Sequence, residues 1–453
     1  MEKDFDVIVI GAGPSGEVAA GRLADADLDV ALCERELVGG ECSFYACMPS
    51  KALVRPGELI GEVGRVPGIE LASEDLTASA VLERRDEVIH SLDDSSMLPW
   101  LEDRGIELFR SEARLDGERR VVAGDDVLTA RKAVIVATGT TASLPPIPGL
   151  AEADPWTNRK ATTAHEVPES LIVIGGGPVG CELSQAWHSL GAVVALLEVA
   201  PRLVPAEEEF ASKELQEALT EAGIDVRTGV DIANAAGEDG RVHVTFEGGE
   251  TIEAERLMVA AGRRPNSAGI GLETVGLEEG DWIGVDDQLR VNGHDWLYAI
   301  GDINKRSLLT HSGKYQARVA CETILGRKAR ASSDLGGPPR VTFTDPQISA
   351  VGLTAEKARE AGINVETVDV STSGNAGASF HGRDTPGTSR LVIDKDREVV
   401  VGATFVGYQT AELLHSATIA IAGEVPMEKL VEAIPTFPTR TEIWLRLLEK
   451  YGL

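Results

Sequence analysis

Apolar and polar positions follow the same order in two separate parts of the chain. An apolar run at residues 6–10 precedes a glycine-rich segment at 11–16, a helix-like stretch and a second apolar run at 30–33. The same order recurs with apolar runs at 171–174 and 192–197 on either side of a second glycine-rich segment. Short apolar runs bounded by glycine predict buried strands. Each part therefore predicts a strand, a tight turn, a helix and a second strand.

An acidic residue closes the second strand in both parts. It is Glu34 in the first and Glu198 in the second, each 23 positions after the first glycine of its turn (34 − 11 and 198 − 175). Glycines let the backbone approach a pyrophosphate at a helix N-terminus, and an acidic side chain at this distance accepts hydrogen bonds from a ribose. Two copies in matched context predict two dinucleotide-binding units. The alternative is that each motif is only a tight turn between a strand and a helix.

Later segments extend this doubly wound pattern. Apolar runs at 133–139 and 257–262 both end in glycine, as expected where such a sheet returns beneath its nucleotide. A proline run at 145–148 before Gly149 predicts a linker. The run at 297–302 ends in Gly-Asp, whose carboxylate is suited to a further polyol hydroxyl, although a Gly-Asp pair alone is more often a turn.

The pattern changes from about residue 338. Runs typical of an antiparallel sheet lie at 340–344, 389–393 and 399–406, with helical stretches at about 355–361, 411–422 and 441–450. These segments predict an α+β terminal domain that serves association. The expected fold class is α/β, with two Rossmann-like dinucleotide-binding domains and this terminal domain. We expect domains at 1–150, 151–266, 267–336 and 337–453, the third segment completing the first domain.

Charge and termini restrict the class of protein. The 43 Lys and Arg against 73 Asp and Glu give a net charge of −30, which argues against nucleic acid or an anionic membrane surface as a partner. Salt adaptation is compatible with this charge. We find no apolar run of the roughly 20 residues that a membrane span needs, and the first residues lead into a strand instead of a signal-peptide core. These features predict a cytoplasmic protein.

Five cysteines are too few and too scattered for a secreted disulfide framework. Cys33, Cys181 and Cys321 lie in apolar or helical context and are expected to be small buried residues. Only Cys42 and Cys47 are close in sequence. A metal site is an alternative for this Cys-x4-Cys pair, but no second Cys or His pair with ligand spacing follows it.

Five features together resemble one family. They are the double dinucleotide fold, the Cys-x4-Cys-x-Pro-Ser-Lys motif at 42–51, the Ala-Thr-Gly at 137–139, the Gly-Asp strand end and the α+β terminal domain. They resemble the class I flavin-dependent pyridine nucleotide-disulfide oxidoreductases, the family of dihydrolipoamide dehydrogenase, glutathione reductase and mercuric reductase. The resemblance covers essentially the whole chain. It implies a glutathione reductase-like fold and a homodimer in which the partner's C-terminal domain completes each active site.

The resemblance also implies the cofactors. FAD is expected on the first unit, at Gly11, Gly13, Pro14, Ser15, Gly16, Glu34, Arg35, Gly40, Lys51, Thr138, Gly139 and Asp302. A nicotinamide nucleotide is expected on the second, at Gly175, Gly177, Gly180, Glu198 and Gly262. A carboxylate accepts a hydrogen bond from a ribose 2′-OH but repels a 2′-phosphate, so Glu198 favours NADH. Arg202, four positions later, is a cation of the kind that binds a 2′-phosphate, so NADPH remains an alternative.

The same resemblance implies an electron path. Hydride passes from the nicotinamide to FAD, and two electrons then pass to a Cys42–Cys47 disulfide, with Cys47 facing the flavin and Cys42 facing the substrate. Residues five apart on a regular helix are about 140° apart around its axis, so bridging these two predicts a distorted first helical turn. Lys51 and Glu182 are expected to form an ion pair beside the flavin. The alternative is that they are two unrelated surface charges.

One position departs from the family. Its disulfide reductases carry His-Pro-x-x-x-Glu near the C-terminus, where the His of the partner chain exchanges protons with the substrate-facing thiol. Here Phe437 stands at the His position and Glu442 at the Glu position. Phe437 is either interface packing or an exclusion of the proton donor, as in 2-ketopropyl coenzyme M oxidoreductase/carboxylase. That enzyme also replaces the Glu, so the match is half complete.

Three functions remain open at this point. The first is an NADH-dependent flavoprotein whose Cys42 attacks a sulfur-containing or electrophilic small molecule without a histidine. The second is a diaphorase that passes electrons from FAD directly to quinones, and the third is a redox-responsive binding protein with little turnover. The chain ends show neither an N-terminal Cys-x-x-Cys domain nor a C-terminal cysteine pair, which disfavours mercuric reductase and large thioredoxin reductase. Phe437 disfavours lipoamide and glutathione as substrates.

Overall fold

The computed structural model describes residues 1–70, 76–383 and 385–453, in which strands and helices alternate along most of the chain. The strands are β1 (Glu2–Ile10), β2 (Val30–Cys33), β3 (Glu107–Phe109), β4 (Ala113–Leu115), β5 (Arg120–Ala123), β6 (Asp126–Val136), β7 (Thr140–Ala142), β8 (Ser170–Ile174), β9 (Val193–Glu198), β10 (Asp225–Thr228), β11 (Ile232–Glu238), β12 (Arg241–Phe246), β13 (Thr251–Ala254), β14 (Arg256–Val259), β15 (Arg263–Pro265), β16 (Leu297–Ala299), β17 (Arg340–Thr342), β18 (Gln347–Gly352), β19 (Val365–Ser371), β20 (Thr388–Asp394) and β21 (Val399–Gly407). The α-helices are α1 (Pro14–Ala24), α2 (Gly40–Phe44), α3 (Cys47–Arg65), α4 (Ala78–Val88), α5 (Leu98–Glu102), α6 (Asn158–Thr163), α7 (Pro178–Ser189), α8 (Glu209–Glu221), α9 (Thr310–Ile324), α10 (Ala355–Glu360), α11 (Ala411–Ala422), α12 (Met427–Leu430) and α13 (Ile443–Tyr451).

Both repeated strand–turn–helix–strand segments form as the hydrophobic pattern predicts. The first is β1, α1 and β2, and the second is β8, α7 and β9, with each glycine-rich segment between the first strand and the helix. The predicted α/β fold class is confirmed. Among the strands that the pattern missed is β18, whose buried positions are partly polar, as at Gln347 and Ser349.

The first compact unit comprises Met1–Pro49, Asp86–Ala142 and Arg263–Pro338. Its main sheet has the order β3-β2-β1-β6-β5-β4, with β16 beside β6. Strand β1 pairs in parallel with β2 and β6, and its residues Val7, Ile8 and Val9 are fully buried. A central parallel strand is covered on both faces, which is why its sequence is a continuous apolar run instead of an alternating one.

The second unit comprises Ser50–Arg85, Ser143–Gly262 and Pro339–Leu453. It holds a parallel sheet in the order β10-β9-β8-β14 and a three-stranded antiparallel sheet, β11-β12-β13. It also holds the terminal antiparallel sheet β17-β18-β21-β20-β19, on which α11 and α13 bury Leu413, Leu414 and Leu447. Among the described residues, no helix has the length and apolar character needed to cross a membrane.

Candidate active site

The first glycine-rich turn is built so that only glycine fits its closest approach. Gly11 has φ +102°, in the left-handed region, and a Cβ on Gly16 would lie 1.9 Å from the Gly11 carbonyl oxygen. A Cβ on Gly13 would meet nothing within 4 Å. The backbone is therefore tightly packed beneath the turn and open above it, at the N-terminus of α1, where a pyrophosphate would bind.

Glu34 lies directly beside this turn. Its Oε2 accepts a hydrogen bond from the Ala12 amide at 2.7 Å, and its Oε1 accepts one from the Glu36 amide at 2.7 Å. These bonds fix the carboxylate at the end of β2, where its remaining lone pairs are available to ribose hydroxyls. Arg35 is exposed, with Nη1 3.5 Å from Glu112.

Segments that pack beside the first glycine turn supply two further groups. Thr138 has a buried hydroxyl with no hydrogen-bond partner among the described residues, and a Cβ on Gly139 would again meet nothing within 4 Å. Asp302 accepts a hydrogen bond from the Thr140 hydroxyl at 2.8 Å, and burial raises the pKa of its carboxyl. An unpaired hydroxyl and a buried carboxyl beside an open glycine turn fit a polyol-phosphate ligand such as FAD.

The second glycine-rich turn repeats this geometry. Gly175 has φ +114°, and a Cβ on Gly180 would lie 1.8 Å from the Gly175 carbonyl oxygen. Open space lies above Gly177 and Gly262, where an added Cβ would meet nothing within 4 Å. Glu198 accepts hydrogen bonds from the amides of Gly176 and Ala200. The turn is thus also ready to hold a nucleotide.

Cys42 and Cys47 lie on separate helices. Cys42 is in α2 and Cys47 begins α3, with the break at Tyr45 and Ala46. This corrects the expectation of a single distorted helical turn, because the chain interrupts the helix entirely between the two sulfurs. Gly40 has φ +58°, and a Cβ there would lie 2.8 Å from the Cα of Gly13, so the dithiol segment packs tightly on the first glycine turn.

Thr310 contacts both sulfurs. Its hydroxyl donates to the Cys42 sulfur at 3.2 Å and lies 3.4 Å from the Cys47 sulfur. The hydrogen bond with Cys47 and burial raise the pKa of the Cys42 thiol, whereas Thr310 and the Lys314 charge lower it. A thiolate is the reactive form of cysteine, so Thr310 and Lys314 are the groups that favour the nucleophile. The remaining cysteines are buried, and burial raises the pKa of Cys33 to about 12.

Lys51 and Glu182 form an ion pair in the second unit. Lys51 Nζ lies 2.6 Å from Glu182 Oε2, and Glu182 is only 5% exposed. The other oxygen of Glu182 accepts a hydrogen bond from the Phe343 amide at 2.9 Å, and Lys51 Nζ lies 4.7 Å from the centre of the Phe343 ring. These two charges are therefore not unrelated surface groups. Glu182 lies on α7, the helix that the second glycine turn opens.

Phe437 and Glu442 have different environments. Phe437 is 74% exposed, next to Ile434 at 87%, whereas Glu442 is 5% exposed. Glu442 Oε2 accepts a hydrogen bond from the Gly377 amide at 2.9 Å. In this chain Glu442 thus accepts a hydrogen bond from the backbone, a structural role that does not require a histidine at position 437.

Sequence reasoning missed Thr310, Lys314 and Phe343. Thr310 lies 268 positions from Cys42, and no local motif connects them. One available signal was the helix α9, which starts at Thr310 and puts Lys314 one turn later on the same face. Among the described residues, no group of three or more His, Cys, Asp or Glu could hold a metal ion.

Comparison with known families identifies the class. The family described as pyridine nucleotide-disulphide oxidoreductase matches residues 5–320, and its dimerisation domain matches residues 338–447. The chain belongs to this family. It is an oxidoreductase of a flavoprotein family that uses FAD and NAD(P)H, and it carries the family's dimerisation domain.

The relatives of this chain have different activities. The chain is 34% identical to dihydrolipoyl dehydrogenase of Thermus scotoductus, over 97% of this chain and 96% of the relative. It is 30% identical to mercuric reductase of Bacillus cereus, over 97% of this chain and 70% of the relative. The HOCl-induced flavoprotein disulfide reductase RclA of Escherichia coli has a TM-score of 0.87 at 24% identity, over 98% of this chain and 99% of its own. That likeness shows the fold.

Proposed function

We propose that this protein is an NADH-dependent flavoprotein that uses Cys42 as a nucleophile on a sulfur-containing or electrophilic small molecule, without a histidine acid/base. The observation that carries this proposal is the contact of one hydroxyl, that of Thr310, with both sulfurs of the Cys-x4-Cys pair. Such an arrangement orients two thiols for exchange and favours the thiolate at one of them. We further propose domain boundaries at 1–150, 151–266, 267–336 and 337–453.

The first unit is proposed to hold FAD. When bound, FAD supplies the two-electron chemistry that links a nicotinamide to a disulfide. The backbone around Gly11, Gly13 and Gly16 would hold its pyrophosphate, because the space above this turn is open. Glu34 would accept from its ribose, and Thr138 and Asp302 would bind its polyol and ring edge. Arg35, Gly40 and Lys51 are proposed contacts that rest on the family motif.

The second unit is proposed to prefer NADH. Glu198 presents a carboxylate at the ribose position, which repels a 2′-phosphate. Arg202 is the cation that would favour NADPH. It donates to the carbonyls of Glu207 and Pro205 and to the Ser212 hydroxyl. A guanidinium with three such bonds is not aimed at the nucleotide, which supports NADH over NADPH.

Lys51 and Glu182 are proposed to position the reacting groups. Glu182 is buried and fixed by the Phe343 amide, so it holds the Lys51 ammonium in one place. A fixed cation favours negative charge that develops near it. The pair is therefore expected to act in the step in which the nicotinamide delivers its electrons.

Phe437 is proposed to leave the Cys42 chemistry without a proton carrier from the C-terminal segment. A positioned acid/base contributes about 10²–10⁴-fold to a proton transfer, and phenylalanine cannot supply one. The exposed Phe437 and Ile434, on the matched dimerisation domain, support a homodimer in which this segment faces the other subunit. Thiolate attack on an electrophile needs no such carrier, which is why electrophilic substrates are favoured.

The test is a Cys42→Ala variant compared with wild type across disulfides, electrophiles, quinones and mercuric ion, with and without bicarbonate. We expect turnover with the best acceptor to fall about 10³-fold or more, while the rate of flavin reduction by NADH stays unchanged. A Cys321→Ala variant is the control, because Cys321 is fully buried. Undiminished turnover in Cys42→Ala would establish the diaphorase instead, and negligible turnover in wild type would favour a redox-responsive binding protein.

A Phe437→His variant tests the missing proton carrier. We expect disulfide reductase activity to rise, but only a few-fold, because the Gly377 amide fixes one oxygen of the Glu442 carboxylate and leaves the other to orient a new imidazole. A gain approaching the about 10²-fold of a fully positioned acid/base would show that Glu442 still plays the family role. No gain would place the restriction in the substrate pocket.

A further inference from the structure

Arg440 is a partly buried cation, and no carboxylate among the described residues forms an ion pair with it. It opens the short turn Arg440–Glu442. Its Nε and Nη1 atoms are buried and have no hydrogen-bond partner among the residues that the structure describes. Burial lowers the pKa of Arg440 to about 10, and Glu62 partly opposes this effect from a distance. A buried charge without a partner is costly, so the site requires a compensating group.

A small cavity lies directly against this guanidinium. Its polar lining includes Thr372, Ser373, His381, Tyr408 and Arg440. The space for the centre of a water-sized particle is about 10 Å³. One bound water needs about that much room, so the cavity suits a small, monatomic species better than a polyatomic anion.

The neighbouring charged groups have partners other than Arg440. Arg65 Nη1 pairs with Asp345 at 2.9 Å, and the Arg65 guanidinium stacks on the Tyr408 ring at 3.5 Å. Glu62 accepts a hydrogen bond from Gln409 at 2.8 Å and lies 3.9 Å from His381 Nδ1. Neither Asp345 nor Glu62 is recorded as an ion-pair partner of Arg440 among the described residues. Arg440 thus lines the cavity with two donor atoms that have no hydrogen-bond partner among the described residues.

We propose that this cavity binds a single halide-class anion, with chloride as the physiological occupant, held by Nε–H and Nη1–H of Arg440. Guanidinium N–H groups are strong donors to anions, and a neutral water would leave the buried charge uncompensated. This proposal does not depend on the proposed substrate.

The anion would stabilise the segment that carries Phe437. A Cβ on Gly377 would lie 2.0 Å from the Thr439 carbonyl carbon, so the two backbones are in close contact. The hydrogen bond from Gly377 to Glu442 fastens the same two segments on the other side of Arg440. Arg440 lies between these two contacts in the sequence. An anion that neutralises its charge therefore stabilises residues 437–442 in their folded conformation.

The first experiment compares thermal unfolding of the FAD-loaded protein in sodium chloride and in sodium gluconate at equal ionic strength. Equal ionic strength matters because a chain of net charge −30 is stabilised by any salt. At a chloride concentration ten times the dissociation constant, linkage raises the folding equilibrium constant about elevenfold, a Tm increase of about 2 °C. We expect Arg440→Gln to lose this difference and Arg446→Gln, a more exposed arginine, to keep it. Equal Tm values in the two salts, or a chloride response retained in Arg440→Gln, would overturn the proposal.

The second experiment does not depend on a variant that folds. Crystals of the wild-type protein grown or soaked in sodium bromide are measured at the bromine absorption edge. We expect an anomalous peak within hydrogen-bond distance of Arg440 Nε and Nη1. A water molecule, or a carboxylate of a second copy of the chain, in that position would overturn the assignment.

Discussion

The two glycine-rich turns have nearly the same geometry, but the units that contain them carry different reactive side chains. The β-carbon that Gly16 lacks would lie 1.9 Å from the Gly11 oxygen, and that of Gly180 would lie 1.8 Å from the Gly175 oxygen. In both turns an acidic residue at the end of the next strand accepts a hydrogen bond from a backbone amide of the turn. The backbone geometry of the turn and its acidic acceptor are thus repeated almost unchanged along this chain.

What differs is the set of side chains around each turn. The unit of the first turn contains the dithiol and Thr310, which contacts both sulfurs. The unit of the second turn contains the ion pair of Lys51 and Glu182, the latter on the helix that the turn opens. Under the proposed function, binding and reactivity are separable: the turns provide binding, and the residues beside each turn decide the redox role.

The largest expected effect comes from adding one methyl group to either turn. Gly180→Ala should raise KM for NADH by about 100-fold and leave FAD content normal, because the methyl group displaces the backbone of the second turn only. Gly16→Ala should instead reduce FAD content. Gly248→Ala is the control, since a Cβ there meets nothing within 4 Å. If both turn variants lose the same cofactor, the two units do not have separate roles.

The next effect concerns the ion pair of the second unit. Lys51→Met leaves the Glu182 carboxylate, 5% exposed, without its cation, so we expect a lower Tm and a reduction by NADH that is about 30-fold slower. Stopped-flow absorbance and calorimetry measure the two quantities. Lys213→Met removes a lysine that is 71% exposed and should change neither. A normal reduction rate in Lys51→Met would remove the pair from the electron path.

A smaller effect is expected at the dithiol. Thr310 donates to Cys42 and lowers the pKa of that thiol. Thr310→Val removes the donor, so the pKa rises and the thiolate fraction below that pKa falls. We expect turnover near neutral pH to fall about 10-fold and to recover at higher pH, whereas Thr310→Ser keeps the wild-type profile. A uniform loss at every pH would indicate a packing role instead.

The sequence predicted the parts of this protein whose signals are local. The strands β1, β2, β8 and β9 and the two glycine turns follow from apolar runs and steric needs within about 30 residues. It also placed Cys33, Cys181 and Cys321 in the interior. In each case the residues that interact are near neighbours in the chain or carry a strong hydrophobic pattern.

The sequence did not predict contacts between distant segments. Thr310 meets Cys42 only because the fold brings the start of α9 to the dithiol segment. The cavity beside Arg440 joins residues from 372 to 440, and nothing local marks them as neighbours. The sequence also did not predict the break between α2 and α3. No proline lies between Cys42 and Cys47, so a single helix was expected to span both residues.

The most direct test of the central claim is thiol trapping after reduction by NADH. The oxidised, FAD-loaded protein is mixed anaerobically with a stoichiometric amount of NADH, alkylated at once and analysed by mass spectrometry. The account predicts that Cys42 becomes alkylated after NADH addition, that neither Cys42 nor Cys47 is alkylated without NADH, and that Gly180→Ala abolishes the labelling. Oxidation of NADH with no label at either cysteine would contradict it.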